Sequence, residues 1–164
     1  MRRAWLLVVL LAGLAGSIGS TSCGSEPDAS QVVKVTDVVT GWLDKGIVEG
    51  QNKLVPTISL KIRNGADRSL SYLQINAVFR IVGDTEELGS KVIWATHGEA
   101  MDPGASLGPF NLSSDLGYSS PAARTQMLQH SMFKDAQVEL FVKQGSGQWA
   151  RLGAYRIDRQ LFAK

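Results

Sequence analysis

The chain has 164 residues, of which 20% are charged and 7% aromatic, and it carries a single cysteine. One cysteine excludes an internal disulfide framework. Of the 17 basic residues, Arg2 and Arg3 precede an apolar leader; the remaining 15 balance 15 acidic residues and leave no basic stripe suited to nucleic acid.

Met1-Arg2-Arg3, the apolar run from Ala4 to Ala15 and the small residues up to Ser22 read as a signal peptide over residues 1–22. The run is shorter than the ~20 residues a membrane-spanning helix needs. The sequence therefore predicts an exported protein. Cys23 follows at once, and its position resembles the lipobox of bacterial lipoproteins, with Thr21 and Ser22 before it and Gly24 after it. Ser20 stands where that pattern prefers an aliphatic residue. The resemblance implies acylation of the Cys23 thiol and attachment to a membrane of the bacterial envelope, on the periplasmic side or at the outer membrane. The other reading is ordinary signal-peptide cleavage at Ser20 and Ser22, with Cys23 left free or removed. A lone exposed thiol is reactive in an oxidising compartment, which favours the acylated form.

Residues 23–30 form a polar tether, and residues 31–164 a single domain. Gln31 to Val39 alternates Val33 and Val35 with Lys34 and Thr36, which predicts a first strand. Gly41 to Gln51 is mixed and Gly-rich, and Pro56 is expected to begin the second strand. Ile58, Leu60 and Ile62 alternate with polar residues, and Leu73, Ile75, Ala77, Phe79 and Ile81 do the same. Asn64-Gly65 and the polar residues after it are turn formers, so these two runs are expected to pair as a central hairpin.

Lys91–Thr96 and Leu107–Leu112 read as further strands, separated by the Asp102-Pro103-Gly104 turn. Ser120-Pro121 predicts the start of a helix reaching to about Phe133. Asp135–Lys143 and Gln148–Ile157, joined by Gly145-Ser146-Gly147, complete about seven strands. An immunoglobulin-like antiparallel β-sandwich with one short helix late in the chain accommodates them. The stretch from Thr57 to Leu107 resembles the FxLYD-type domains of bacterial exported lipoproteins. Asn64 matches the strand-ending Asn, Phe79 and Ile81 the Phe and aliphatic places, and Pro103-Gly104 the later turn. Val82 replaces the usual Tyr, and Gly83 displaces the Asp to position 84. That resemblance implies the same fold and no particular reaction.

Three patterns carry candidate chemistry. Gly104-Ala105-Ser106-Leu107-Gly108 spells G-x-S-x-G, with Asp115 and His130 following in the order of a hydrolase triad. The motif needs a strand–turn–helix context, and Pro109 follows it instead. His97, Met101, Met127, His130 and Met132 are imidazole and thioether groups of the kind that suits Cu(I). They loosely resemble the ligands of periplasmic copper chaperones, without their spacing. The alternative is that the methionines pack the helix while His130 is solvated. Trp42, Trp94, Trp149, Phe110 and Tyr118 either line a groove for a small apolar ligand or belong to the core. The expectation is a non-catalytic envelope protein without a cofactor, anchored or secreted, serving as an accessory module for an envelope partner. The alternative is a periplasmic protein that binds a soft metal or a small apolar ligand.

Overall fold

The computed structural model describes residues 28–163. The expected signal peptide and Cys23 lie outside them. The chain order is α1 (Ala29–Val32), β1 (Val33–Val48), β2 (Gln51–Asn64), β3 (Leu73–Ile81), β4 (Glu87–Trp94), β5 (Ser106–Ser113), β6 (Tyr118–Ser120), α2 (Arg124–Gln129), β7 (Ala136–Gln144) and β8 (Ala150–Arg156). One antiparallel sheet runs β1-β2-β5, with β6 also pairing to β2; the other runs β4-β3-β7-β8. This is an immunoglobulin-like β-sandwich with eight strands and two short helices.

Alternation dictates which face of each strand goes inward. Ile58, Leu60 and Ile62 of β2 meet Leu73, Ile75, Ala77 and Phe79 of β3 and Val138, Leu140 and Val142 of β7, all buried in one core. The expected hairpin between Thr57 and Val82 does not form. β2 pairs with β1, β5 and β6, whereas β3 pairs with β4 and β7. The two apolar runs do face each other, but across the core and from different sheets. The connection is shaped by Asn64, whose buried side chain donates to the Arg68 and Met101 carbonyls (both 2.9 Å) and accepts from the Ala66 amide at 2.9 Å. The backbone amide of Asn64 donates to Ala105 and its carbonyl accepts from Gly104, so Asn64 binds the Pro103-Gly104 turn as well.

The hairpin lies one connection earlier. β1 and β2 are joined by Glu49-Gly50, both at positive φ (51° and 78°), as a tight two-residue turn requires. Pro56 therefore sits inside β2 and not at its start. Its partner Trp42 sends its own amide to Gln160 (2.8 Å) and takes the Phe162 amide on its carbonyl (2.9 Å), both in the C-terminal segment. Trp42 thus asks nothing of Pro56, and the proline's missing donor is harmless on that side. This C-terminal segment runs parallel to β1 at Trp42 and Leu161 and covers part of that edge.

The folded unit also begins earlier than residue 31. Asp28 caps α1 by accepting from the Ser30 amide (2.9 Å), and Ala29 is buried. The expected late helix is shorter than the sequence implies. The Ser120 hydroxyl accepts from the Ala122 amide in a turn before α2, and the helix itself spans only Arg124–Gln129.

The pairings define two ends. At the near end lie α1, the start of β1, Asn64, the starts of β3 and β8, and the 95–105 connection. The far end holds the Glu49-Gly50 turn, β6 and α2.

Candidate functional site

The far end contains a shaped depression. Trp42, fully buried on β1, packs edge-on against Phe133 (4.6 Å between centroids, 69°) and tilts against Tyr118 of β6 at 5.6 Å. Tyr118 and Phe133 close the triangle at 4.5 Å. The triangle forms because β6 pairs with β2 from Asn52 to Leu54, immediately beside the strand that carries Trp42. Gly117 permits the approach, since a Cβ there would overlap the Leu54 carbonyl. The Tyr118 hydroxyl accepts from the Lys134 amide at 3.2 Å, and Arg159 lies 5.4 Å from the Phe133 ring while donating to its carbonyl at 2.8 Å. The Trp42 Nε1 is buried without an acceptor.

On the outer side of the triangle, Tyr118 and Phe133 join Ser119, Ser120, Ala122, Met127, His130 and Met132 in lining a pocket of about 160 Å³. Three of the five predicted metal-ligating residues therefore meet. The other two do not join them. Met101 is buried at the near end, bridging to Leu70 and accepting from Asn64. His97 is exposed and stands edge-on to Trp94 at 5.0 Å. The pocket's Tyr118 pairs with Leu54, ten residues along β2 from Asn64, or roughly 33 Å at strand spacing. The five-residue set is thus split between the two ends, which no spacing in the sequence revealed.

His130 is not poised as a ligand. Its Nδ1 accepts from the Met132 amide at 3.2 Å, which places the proton of a neutral ring on Nε2. Neither nitrogen then offers a lone pair to a metal until that bond opens. Met127 is buried and packs α2 onto the core, whereas Met132 is 74% exposed. Among the described residues, no group of three His, Cys, Asp or Glu side chains is arranged to hold a metal ion.

The G-x-S-x-G stretch forms no nucleophile elbow. Gly104 lies in the turn after Pro103, and Ser106 is the exposed first residue of β5, paired with Arg63 at the near end. His130 lies at the other end, so Ser106, Asp115 and His130 do not assemble. The aromatic residues are likewise dispersed: Trp42 and Tyr118 in the far-end triangle, Phe110 on β5, Trp94 and Trp149 at the near end.

Sequence reasoning named Trp94 and Trp149 as groove or core residues and Met132 as a metal ligand or packing residue, but it missed that apolar side chains at both ends face outward. Ile47 and Val48 flank the Glu49-Gly50 turn, Leu116 precedes β6 and Met132 follows α2; all four are exposed at the far end. At the near end Tyr72, Trp94 and Trp149 are exposed. Adjacent apolar residues beside a Gly turn, as in Ile47-Val48-Glu49-Gly50, were the available signal.

No family model matches the chain, and no curated protein matches it. Among solved structures, the chain is similar to the X-ray structure of Northeast Structural Genomics Consortium target SoR45. The TM-score is 0.43 at 13% identity, over 78% of this chain and 87% of that one.

Proposed function

We propose that the protein is an exported, lipid-anchored β-sandwich that acts by binding a partner of the bacterial envelope and not by catalysis. One observation carries this reading. Ile47, Val48, Leu116 and Met132 expose aliphatic surface on segments of the far end, opposite the end where the chain enters the fold. Apolar side chains exposed together at one end of a small domain are the natural place to look for a contact site. The anchor follows from Cys23 alone, five residues before Asp28.

Two measurements on one preparation test the two halves. Intact mass of protein from membranes is expected to show acylated Cys23, with membrane association lost in Cys23→Ala; an unmodified, soluble chain removes the anchor. A photo-cross-linking residue at position 47 or 132 is expected to give a discrete envelope adduct that the same probe at Lys61, on the sheet, does not. Equal labelling from all three positions removes the far end as the contact.

A second reading rests on the shared pocket of Met127, His130 and Met132. It is a soft-metal or small apolar ligand site, in which a bound Cu(I) opens the His130–Met132 bond. Because Trp42 touches the pocket wall through Tyr118 and Phe133, copper titration followed by tryptophan emission reports on it. No saturable change at micromolar metal disposes of the metal version.

A further inference from the structure

The near end carries a different kind of exposed surface. Gln74 of β3 pairs with Trp94 on one side and Lys143 on the other, so these three side chains share one row across the outer face of the sheet. Lys143 reaches over Trp149, with its Nζ 5.1 Å from the ring centroid, and extends the row to the start of β8. Tyr72 precedes β3, and its carbonyl accepts from the Gly145 amide, which places it beside the β7–β8 turn. The three rings are 52%, 47% and 39% exposed for Tyr72, Trp94 and Trp149.

We infer that this rim of Tyr72, Trp94 and Trp149 seats in the headgroup region of a lipid bilayer. The inference rests on the anchor at Cys23 proposed above. The position of the chain entry makes the bilayer the occupant. Asp28 and α1 lie at this same end: the Val32 carbonyl accepts from the Gly65 amide, and Val33 pairs with Asn64. Between Cys23 and Asp28 the chain can span at most about 18 Å even when extended. β2 alone covers 14 residues, or roughly 45 Å. An acylated Cys23 therefore holds the near end against the bilayer and leaves the far end free to stand away from it.

The chemistry of the rim fits that place. Tyrosine and tryptophan prefer the membrane interface because one end of the ring is apolar and the other makes hydrogen bonds. A lysine stem lying along a tryptophan can keep its ammonium among the headgroups. The seat needs no anionic lipid, in keeping with 15 basic residues against 15 acidic ones beyond the leader.

The test uses the full, anchored protein reconstituted in phosphatidylcholine vesicles, with and without bromine on the acyl chains near the headgroup. Two of the three tryptophans beyond the leader belong to the rim, and the third, Trp42, is buried at the far end as an internal reference. Brominated lipid is expected to quench the emission of Trp94 and Trp149 and so lower the total, since tryptophan at the interface lies beside the bromine. In the double variant Trp94→Phe/Trp149→Phe the residual Trp42 emission is expected to be unaffected. Acylated wild-type protein whose emission brominated lipid leaves unchanged overturns the seat while the anchor stands. A chain whose mass shows no acyl group overturns both. The wild-type measurement needs no variant, so misfolding of the double variant does not obscure the result.

Discussion

The two ends of the sandwich use the same kinds of residue in opposite ways. At the far end the aromatic side chains turn inward, with Trp42, Tyr118 and Phe133 in mutual contact, and aliphatic residues are left outside. At the near end the rings of Tyr72, Trp94 and Trp149 turn outward, and the interior is organised by a polar residue, Asn64. The difference lies in what covers each end. β6, α2 and the C-terminal segment close over the far end, enough chain to bury Trp42 and Phe133 and half-bury Tyr118. The near end has the four-residue α1 and connections in which one buried side chain, Asn64, makes three of the hydrogen bonds. Aromatic content alone does not say where a core is. The covering chain decides it.

The largest expected effect comes from the far-end triangle. Trp42→Ala is expected to cost about 3–5 kcal/mol, as for other large-to-small changes in a core. Trp42→Phe should cost far less, because it removes a buried donor that has no acceptor and so offsets part of the lost packing. Urea unfolding of both variants checks this, and equal losses would contradict the account of Nε1.

Asn64→Ala comes next. It deletes three side-chain hydrogen bonds, to the Arg68 and Met101 carbonyls and from the Ala66 amide, while the Met101 carbonyl keeps the Leu70 amide, for a loss of about 3 kcal/mol. Amide exchange should quicken first in residues 65–72 and 101–105 and leave β6 and α2 protected. Faster exchange at both ends alike would mean that the ends are not separate.

The smallest effect sharpens the contrast most. Tyr72 holds φ at 55°, a left-handed conformation that bulky residues rarely adopt and that Asn accepts readily. Tyr72→Asn should leave stability unchanged or raise it by up to about 1 kcal/mol. A thermal midpoint several degrees lower would show that the ring supports the fold and is not merely displayed by it.

Much of this architecture was legible in period-two patterning. The inward sets of β2, β3 and β7 were all visible as alternation, and the turn before β5 was visible as Asp-Pro-Gly. Alternation tells which face of a strand is buried, but it does not name the strand's neighbour. Two runs that bury facing surfaces look the same whether they lie side by side or across a core. That is why Thr57–Val82 read as a hairpin. Asn64-Gly65 reinforced the error: Asn64 serves there through its side chain, bound to Met101 at a separation of 37 residues. The true hairpin was hidden because Ile47 and Val48 stay exposed, against the rule that apolar residues turn inward. The candidate metal set failed for a related reason. Similar chemistry at His97 and His130 carried no information on which end of the sandwich each would occupy.

The C-terminal segment laid parallel to β1 also has a mechanical consequence. In the proposed arrangement, a molecule tethered through an acylated Cys23 at the near end and held at the far end by a partner would carry tension between its two ends. The hydrogen bonds of the antiparallel β1–β2 ladder run across the strand, so any load that passes sideways from β1 to β2 is shared by many of them together. The bonds from Trp42 to Gln160 and Phe162 add a second ladder to the same strand and clamp it from its other side. At Trp42, β1 is thus held on both edges, by β2 on one side and by the C-terminal segment on the other.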